Sequence, residues 1–189
     1  SDAPVLVLSN SLGTSFDMWA PQIQALTANH RVLRYDTRGH GGTALAPKPY
    51  ALEALGRDVV GLLDVLGVAR AHFCGLSMGG LIGMWLGAHA AGRVDKLVLC
   101  NTAARIGTQE TWNARIQSVE TGGMTSVSAS IIERWFTPEF AASAPQTMAR
   151  MRAMMEGVSR DGYVGSCCAV RDADFRGTVR DIVTPTLVI

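Results

Sequence analysis

The chain has almost no charge imbalance. Seventeen Lys and Arg stand against sixteen Asp and Glu, a formal net charge of +1. No basic block is present that could neutralise a row of phosphates or lie on an anionic membrane. Nucleic acid and membranes are therefore not expected partners. Cysteine is also scarce, four in 189 residues. Cys74 and Cys100 fall inside apolar strand-like runs, and the neighbours Cys167 and Cys168 have neither metal-ligand spacing nor the pattern of a disulfide framework. Buried free thiols are expected. The four histidines are scattered without the spacing of a metal site, so neither metal nor cofactor is expected. No internal repeat or low-complexity tract occurs. The chain does not open on a charged segment, a short apolar stretch and a small-residue cleavage site, so the expectation is a cytoplasmic protein without a signal peptide.

Long uncharged runs are lacking with one exception, Phe73 to Gly92, which contains no Asp, Glu, Lys or Arg. Its Gly79, Gly83 and Gly87 recur every four residues, which in lipid would suggest a helix-pairing face. The run nevertheless starts with a strand-like piece, is rich in glycine and has no second apolar span beside it. A buried helix lying close on a sheet accounts for the same residues.

What is present fits one globular unit, with 48% hydrophobic residues and enough length for a sizeable core. "APVLVLSN", "RVLRYD", "RAHFCG" and "VDKLVLCN" are short apolar runs of strand character. Between them lie helical patterns: Met18, Ile23 and Leu26; then Leu55, Val59, Leu62, Leu63 and Leu66 with Gly67 as a stop; then "MGGLIGMWLGAHAAG". Strands alternating with helices imply an α/β fold around a mostly parallel sheet buried on both faces. After Ile106 the rhythm changes to helices without strands, with "SVSASIIERWF" and "APQTMARMRAMMEG" the clearest. The expected organisation is an α/β core over residues 1–106, a helical insertion over 107–165, and a return to the core over 166–189 that ends in another buried strand, "PTLVI".

Gly75-Leu76-Ser77-Met78-Gly79 falls between a predicted strand and a predicted helix. This is the context in which G-x-S-x-G makes a nucleophile elbow, a sharp turn that lifts a serine hydroxyl above the sheet. The residues two before and two after the serine approach each other there, and both are glycine. Ser77 is the candidate nucleophile. The Met78 N–H, at the positive end of the following helix, is a candidate oxyanion donor.

With the loop Asp36-Thr37-Arg38-Gly39-His40-Gly41-Gly42-Thr43, which looks like D-x-R-G-x-G-x-S/T, the chain resembles the α/β-hydrolase family. Within it, "LSNSLGTSFDMW", "YDTRGHGGT", "CGLSMGG", "ERWF" and "CCAVRDADFR" are most similar to 3-oxoadipate enol-lactonases. The resemblance implies that the insertion is a cap, and that Leu12, in the loop after the first strand, supplies the second oxyanion N–H. It also implies that Trp135 faces the pocket, and that the substrate is a small lactone or ester. A substrate carboxylate would call for a cation, for which Arg134, Arg150 and Arg152 are candidates. Five methionines of the insertion (Met124, Met148, Met151, Met154 and Met155) could line an adaptable lid or simply form core.

The family order Ser, Asp, His implies an acid and a base beyond "TPTLVI", and strands before "APVLVLSN"; neither is in these 189 residues, so the chain reads as part of a longer domain. Of the histidines present, His30, His72 and His89 are expected to be structural, and His40 is the one on the elbow's side of the sheet. Asp36, Asp172 and Asp174 read as loop-tying or helix-end charges. The expected activity is hydrolysis of a small enol-lactone in aromatic-compound catabolism. A general carboxylesterase, a cofactor-free haloperoxidase-like enzyme, or a ligand-binding protein without turnover on the same fold are the alternatives.

Overall fold

Strand β1, Val5–Ser9, is buried at every position, as a strand covered on both faces must be. The computed structural model describes residues 3–189 and places β1 inside a five-stranded, wholly parallel sheet. The other strands are β2 (Arg31–Arg34), β3 (Ala71–Leu76), β4 (Val94–Cys100) and β5 (Thr186–Val188), in the spatial order β2-β1-β3-β4-β5. Successive side chains point to opposite faces. Val5, Val7, Phe73, Leu97 and Leu99 therefore join the larger core, beneath α2 (Leu52–Val65) and α3 (Met78–His89). Leu6, Leu8, Cys74 and Leu76 face the other way, onto Trp19 and onto Ile23 and Leu26 of α1 (Ala20–Thr27).

The uncharged run beginning at Phe73 is thus β3, a turn, and a helix of 12 residues. Among the described residues no helix is long and apolar enough to cross a membrane. All ten positions of α3 from Met78 to Gly87 are buried. Its glycines allow the close approach: a Cβ on Gly83 would press on Leu99 and Phe73, and one on Gly87 on Leu97 and Ile182.

Helices α4 (Gln109–Gly122), α5 (Thr125–Ile132), α6 (Pro138–Ser143), α7 (Pro145–Glu156) and α8 (Arg160–Asp172) follow without an intervening strand. Together α4, α5, α7 and α8 pack into a layer that contributes Trp112, Val119, Ile131, Met155 and Tyr163 to the main core.

Four local expectations are corrected. Strand β5 is exposed at all three positions, pairing with β4 alone among the described strands. Leu66 is half exposed, since α2 has ended and Gly67, at φ +64°, turns the chain away. The helix at "SVSASIIERWF" stops at Ile132, so Trp135 sits in the following turn, its N–H bonded to the Ile132 carbonyl at 2.9 Å. Cys74 and Cys100 are only half-buried, their sulfurs 3.9 Å apart across neighbouring strands. Burial still pushes the Cys74 and Cys167 thiols up to about 12, so both are unreactive at neutral pH.

The close packing of α3 on the sheet is testable. Gly83→Val should lower stability by about 1–3 kcal/mol, because the branched side chain displaces Leu99 and Phe73. The shift in urea midpoint measures it.

Candidate active site

Because the strands are all parallel, their C-terminal ends gather at one edge of the sheet, the usual place for a ligand site in such folds. Ser77 follows β3 there with φ +55° and ψ −111°, a left-handed conformation that costs a non-glycine residue about 1–3 kcal/mol. The neighbouring strands hold it in place. Its N–H bonds the Cys100 carbonyl at the end of β4 at 2.9 Å, and its carbonyl accepts the Thr102 hydroxyl at 2.9 Å. The Gly79 N–H bonds the Asn10 carbonyl beyond β1 at 3.1 Å. A Cβ on Gly75 would land on the Gly79 carbonyl, and one on Gly79 on the Ser9 carbonyl, so the turn closes only with glycine at both positions. Of the first four amides of α3, those of Gly79, Gly80 and Leu81 bond the Asn10 or Ser77 carbonyls. The Met78 N–H is the remaining one at the helix N-terminus.

The loop after β1 is tied down as firmly. Asn10 accepts the Trp19 indole N–H at 2.9 Å and donates to the Tyr35 carbonyl at 2.9 Å, and the Thr14 hydroxyl bonds the Ser11 carbonyl at 2.7 Å. Leu12 is buried between these anchors, its N–H without a hydrogen-bond partner among the described residues.

The Asp36–Thr43 loop braces that segment from the side. One oxygen of the buried Asp36 carboxylate accepts the Phe16 N–H at 2.7 Å and the other the Gly42 N–H at 3.0 Å. Arg38 forks onto Asp58 of α2. His40 is fully buried, between the Arg38 carbonyl and the Gly13 N–H.

Ser77 opens into a cavity of about 230 Å³ whose walls include Leu12 from below and Trp112, Arg115, Arg134 and Trp135 from the helical layer. Three of the four residues expected at the site, Ser77, Leu12 and Trp135, thus line one space. Met78 lies beneath them, buried next to Ser77. Arg150 and Arg152 are exposed and do not reach the cavity, and none of the five methionines of the insertion lines it. Met155 is fully buried, and Met124 nearly so, within the main core.

Arg115 escaped the sequence reading. It sits three residues beyond Trp112 on α4, its guanidinium 4.5 Å over the Trp112 ring, and that spacing puts both on one helix face. The other histidines lie away from the cavity. His72 is the second residue of β3, at the opposite end from Ser77 and edge-on to His30, while His89 ends α3 against Trp85. Asp172 pairs with Arg171, and Asp174 with Arg176 and Arg105.

A family model described as the alpha/beta hydrolase fold matches residues 4–129. The chain belongs to this family. It is a hydrolase, and its sequence is 41% identical over 189 residues to 3-oxoadipate enol-lactonase 2 of Acinetobacter baylyi, covering all of this chain and 71% of that relative. Its structure matches the crystal structure of the enol-lactonase from Burkholderia xenovorans LB400 with a TM-score of 0.98 and 47% identity, over all of this chain and 72% of that one. A putative carbamate hydrolase of Caulobacter sp. is 43% identical over 106 residues, 56% of this chain and 40% of the relative. The α/β-hydrolase elbow and its bracing loops thus occur here on a wholly parallel sheet.

Asp36→Ala should destabilise the protein by about 3 kcal/mol, because two backbone amides lose a charged acceptor in a buried setting. Urea denaturation measures the loss.

Proposed function

We propose that this hydrolase opens the ring of 3-oxoadipate enol-lactone, giving 3-oxoadipate, in bacterial breakdown of aromatic compounds. The observation that carries this reading is the composition of the cavity: the strained Ser77 shares it with two arginines, Arg115 and Arg134, and among the described residues no carboxylate lines it. A small space with one nucleophile and two cations suits a small ester-like electrophile that bears a carboxylate. The likeness to two enol-lactonases over the whole chain supports the same substrate.

In this mechanism the Ser77 hydroxyl attacks the lactone carbonyl carbon, and the carbonyl π electrons move onto oxygen. The Met78 and Leu12 amides receive that oxyanion. One such donor lowers the barrier by about 3 kcal/mol. Collapse of the tetrahedral intermediate breaks the ring C–O bond, and the enol oxygen departs and becomes a ketone after proton transfer to carbon. Water then releases the acyl group from Ser77. Trp135 forms an apolar wall and offers an indole N–H to the lactone. We assign the base that takes the Ser77 proton, and the acid that orients it, to sequence outside these 189 residues, because all four histidines here are engaged elsewhere or lie at the far end of β3 and α3.

In the full protein, Ser77→Ala should abolish enol-lactone hydrolysis followed by ultraviolet absorbance, and retained turnover rules out the serine route. Arg134→Met should raise KM for the enol-lactone at least tenfold while leaving KM for a neutral aryl ester within twofold. Faster turnover of neutral esters or of carbamates by the unaltered protein would instead make it an esterase or a carbamate hydrolase.

A further inference from the structure

We propose that His40 is a positioning residue for the oxyanion loop: clamped between the Arg38 carbonyl and the Gly13 amide, it fixes the Leu12–Gly13 peptide and so the aim of the Leu12 N–H. This rests on the reading of Leu12 as an oxyanion donor given above.

The geometry defines the chemical state of the ring. The Gly13 N–H can only donate, so the His40 Nε2 it meets at 3.1 Å must be an unprotonated acceptor. The Arg38 carbonyl can only accept, so His40 Nδ1, 3.1 Å away, must carry the proton. One neutral tautomer satisfies both partners. Burial favours that neutral form, holding the imidazole below its ordinary pKa, against smaller upward pulls from the hydrogen bond to the Arg38 carbonyl and then from the Asp36 carboxylate on the same loop. A ring fully engaged in this way has no lone pair left for the Ser77 proton, which separates His40 from the role of base.

What the clamp holds is a position that only glycine fits. Gly13 has φ +84°, and on its other side stand Met155 of α7 and Tyr163 of α8, so near that a Cβ on Gly13 would meet the Met155 methyl at 2.8 Å. The peptide preceding Gly13 is therefore fixed by a hydrogen bond from one loop and by packing from the helical layer. The amide of Leu12, one residue earlier, has no hydrogen bond of its own among the described residues. Its direction is inherited from Gly13 and from the Thr14–Ser11 bond. In the Asp36–Thr43 loop this gives His40 a task distinct from that of Asp36, which holds Phe16 and Gly42.

The test compares His40→Leu, which keeps bulk without an acceptor, with His40→Gln, whose Oε1 can occupy the place of Nε2. In the full protein, His40→Leu should reduce kcat by roughly 100-fold or more, in the roughly 10²–10³ range for loss of an oxyanion donor, with KM within twofold. His40→Gln should recover at least tenfold of that loss. Wild-type kcat in His40→Leu, or equal impairment of both variants, overturns the proposal. If His40→Leu does not fold, nitrogen NMR of the unaltered protein decides: a neutral Nδ1–H ring coupled through Nε2 to the Gly13 amide supports the clamp, and any other protonation state overturns it. Activity lost in Ser77→Ala but kept in His40→Leu rejects the positioning role alone. Activity kept in Ser77→Ala rejects the hydrolytic reading, while the NMR result still stands or falls by itself.

Discussion

The rest of the structure depends on the approach of the α3 N-terminus to the ends of β1 and β4. Two backbone hydrogen bonds, Ser77 to Cys100 and Gly79 to Asn10, pull the turn against the sheet. Those bonds oblige Gly75 and Gly79 to lack side chains, force Ser77 into a left-handed conformation, and leave the Met78 amide at the open end of the helix. The cost of the strained serine is distributed over fixed neighbours on both sides. A loosely held loop could not sustain it.

Around that junction the chain builds braces of decreasing generality. The parallel sheet gathers the strand ends, the Asp36 carboxylate holds the loops after β1 and β2 together, and the helical layer supplies the walls that face Ser77. The sheet ends thus place Ser77 and Leu12 at the cavity, while α4 and the turn after α5 place Trp112, Arg115, Arg134 and Trp135 around it. Under the proposed function, chemistry and selectivity would reside on different layers.

How much of this could be read from sequence follows the same division. Strands β1, β3 and β4 and the elbow were legible because buried parallel strands make continuous apolar runs and the turn demands particular glycines in a fixed spacing; β2, Arg31–Arg34, is only half-buried and was legible from Val32 and Leu33 between turn residues. Ser77, Leu12 and Trp135 meet in one cavity as expected. Arg115 was not legible, because a half-buried arginine on an amphipathic helix looks like any solvated charge until the partner layer is known. Of the two readings open for the methionines of the insertion, core is the one found for Met124 and Met155: an apolar stripe says that a face is covered, and Met155 is covered by the core rather than by a ligand.

Gly13 is pressed between two parts of the molecule, His40 on one side and Met155 and Tyr163 on the other. The loop beside the nucleophile is consequently a joint shared by sheet and helical layer rather than a property of the sheet alone. Exchanging the helical layer for that of another hydrolase would change the walls of the pocket and also move the Leu12–Gly13 backbone beneath it. A graft made to alter selectivity must therefore keep a side chain that reaches Gly13 where Met155 and Tyr163 now stand, or turnover will change together with specificity.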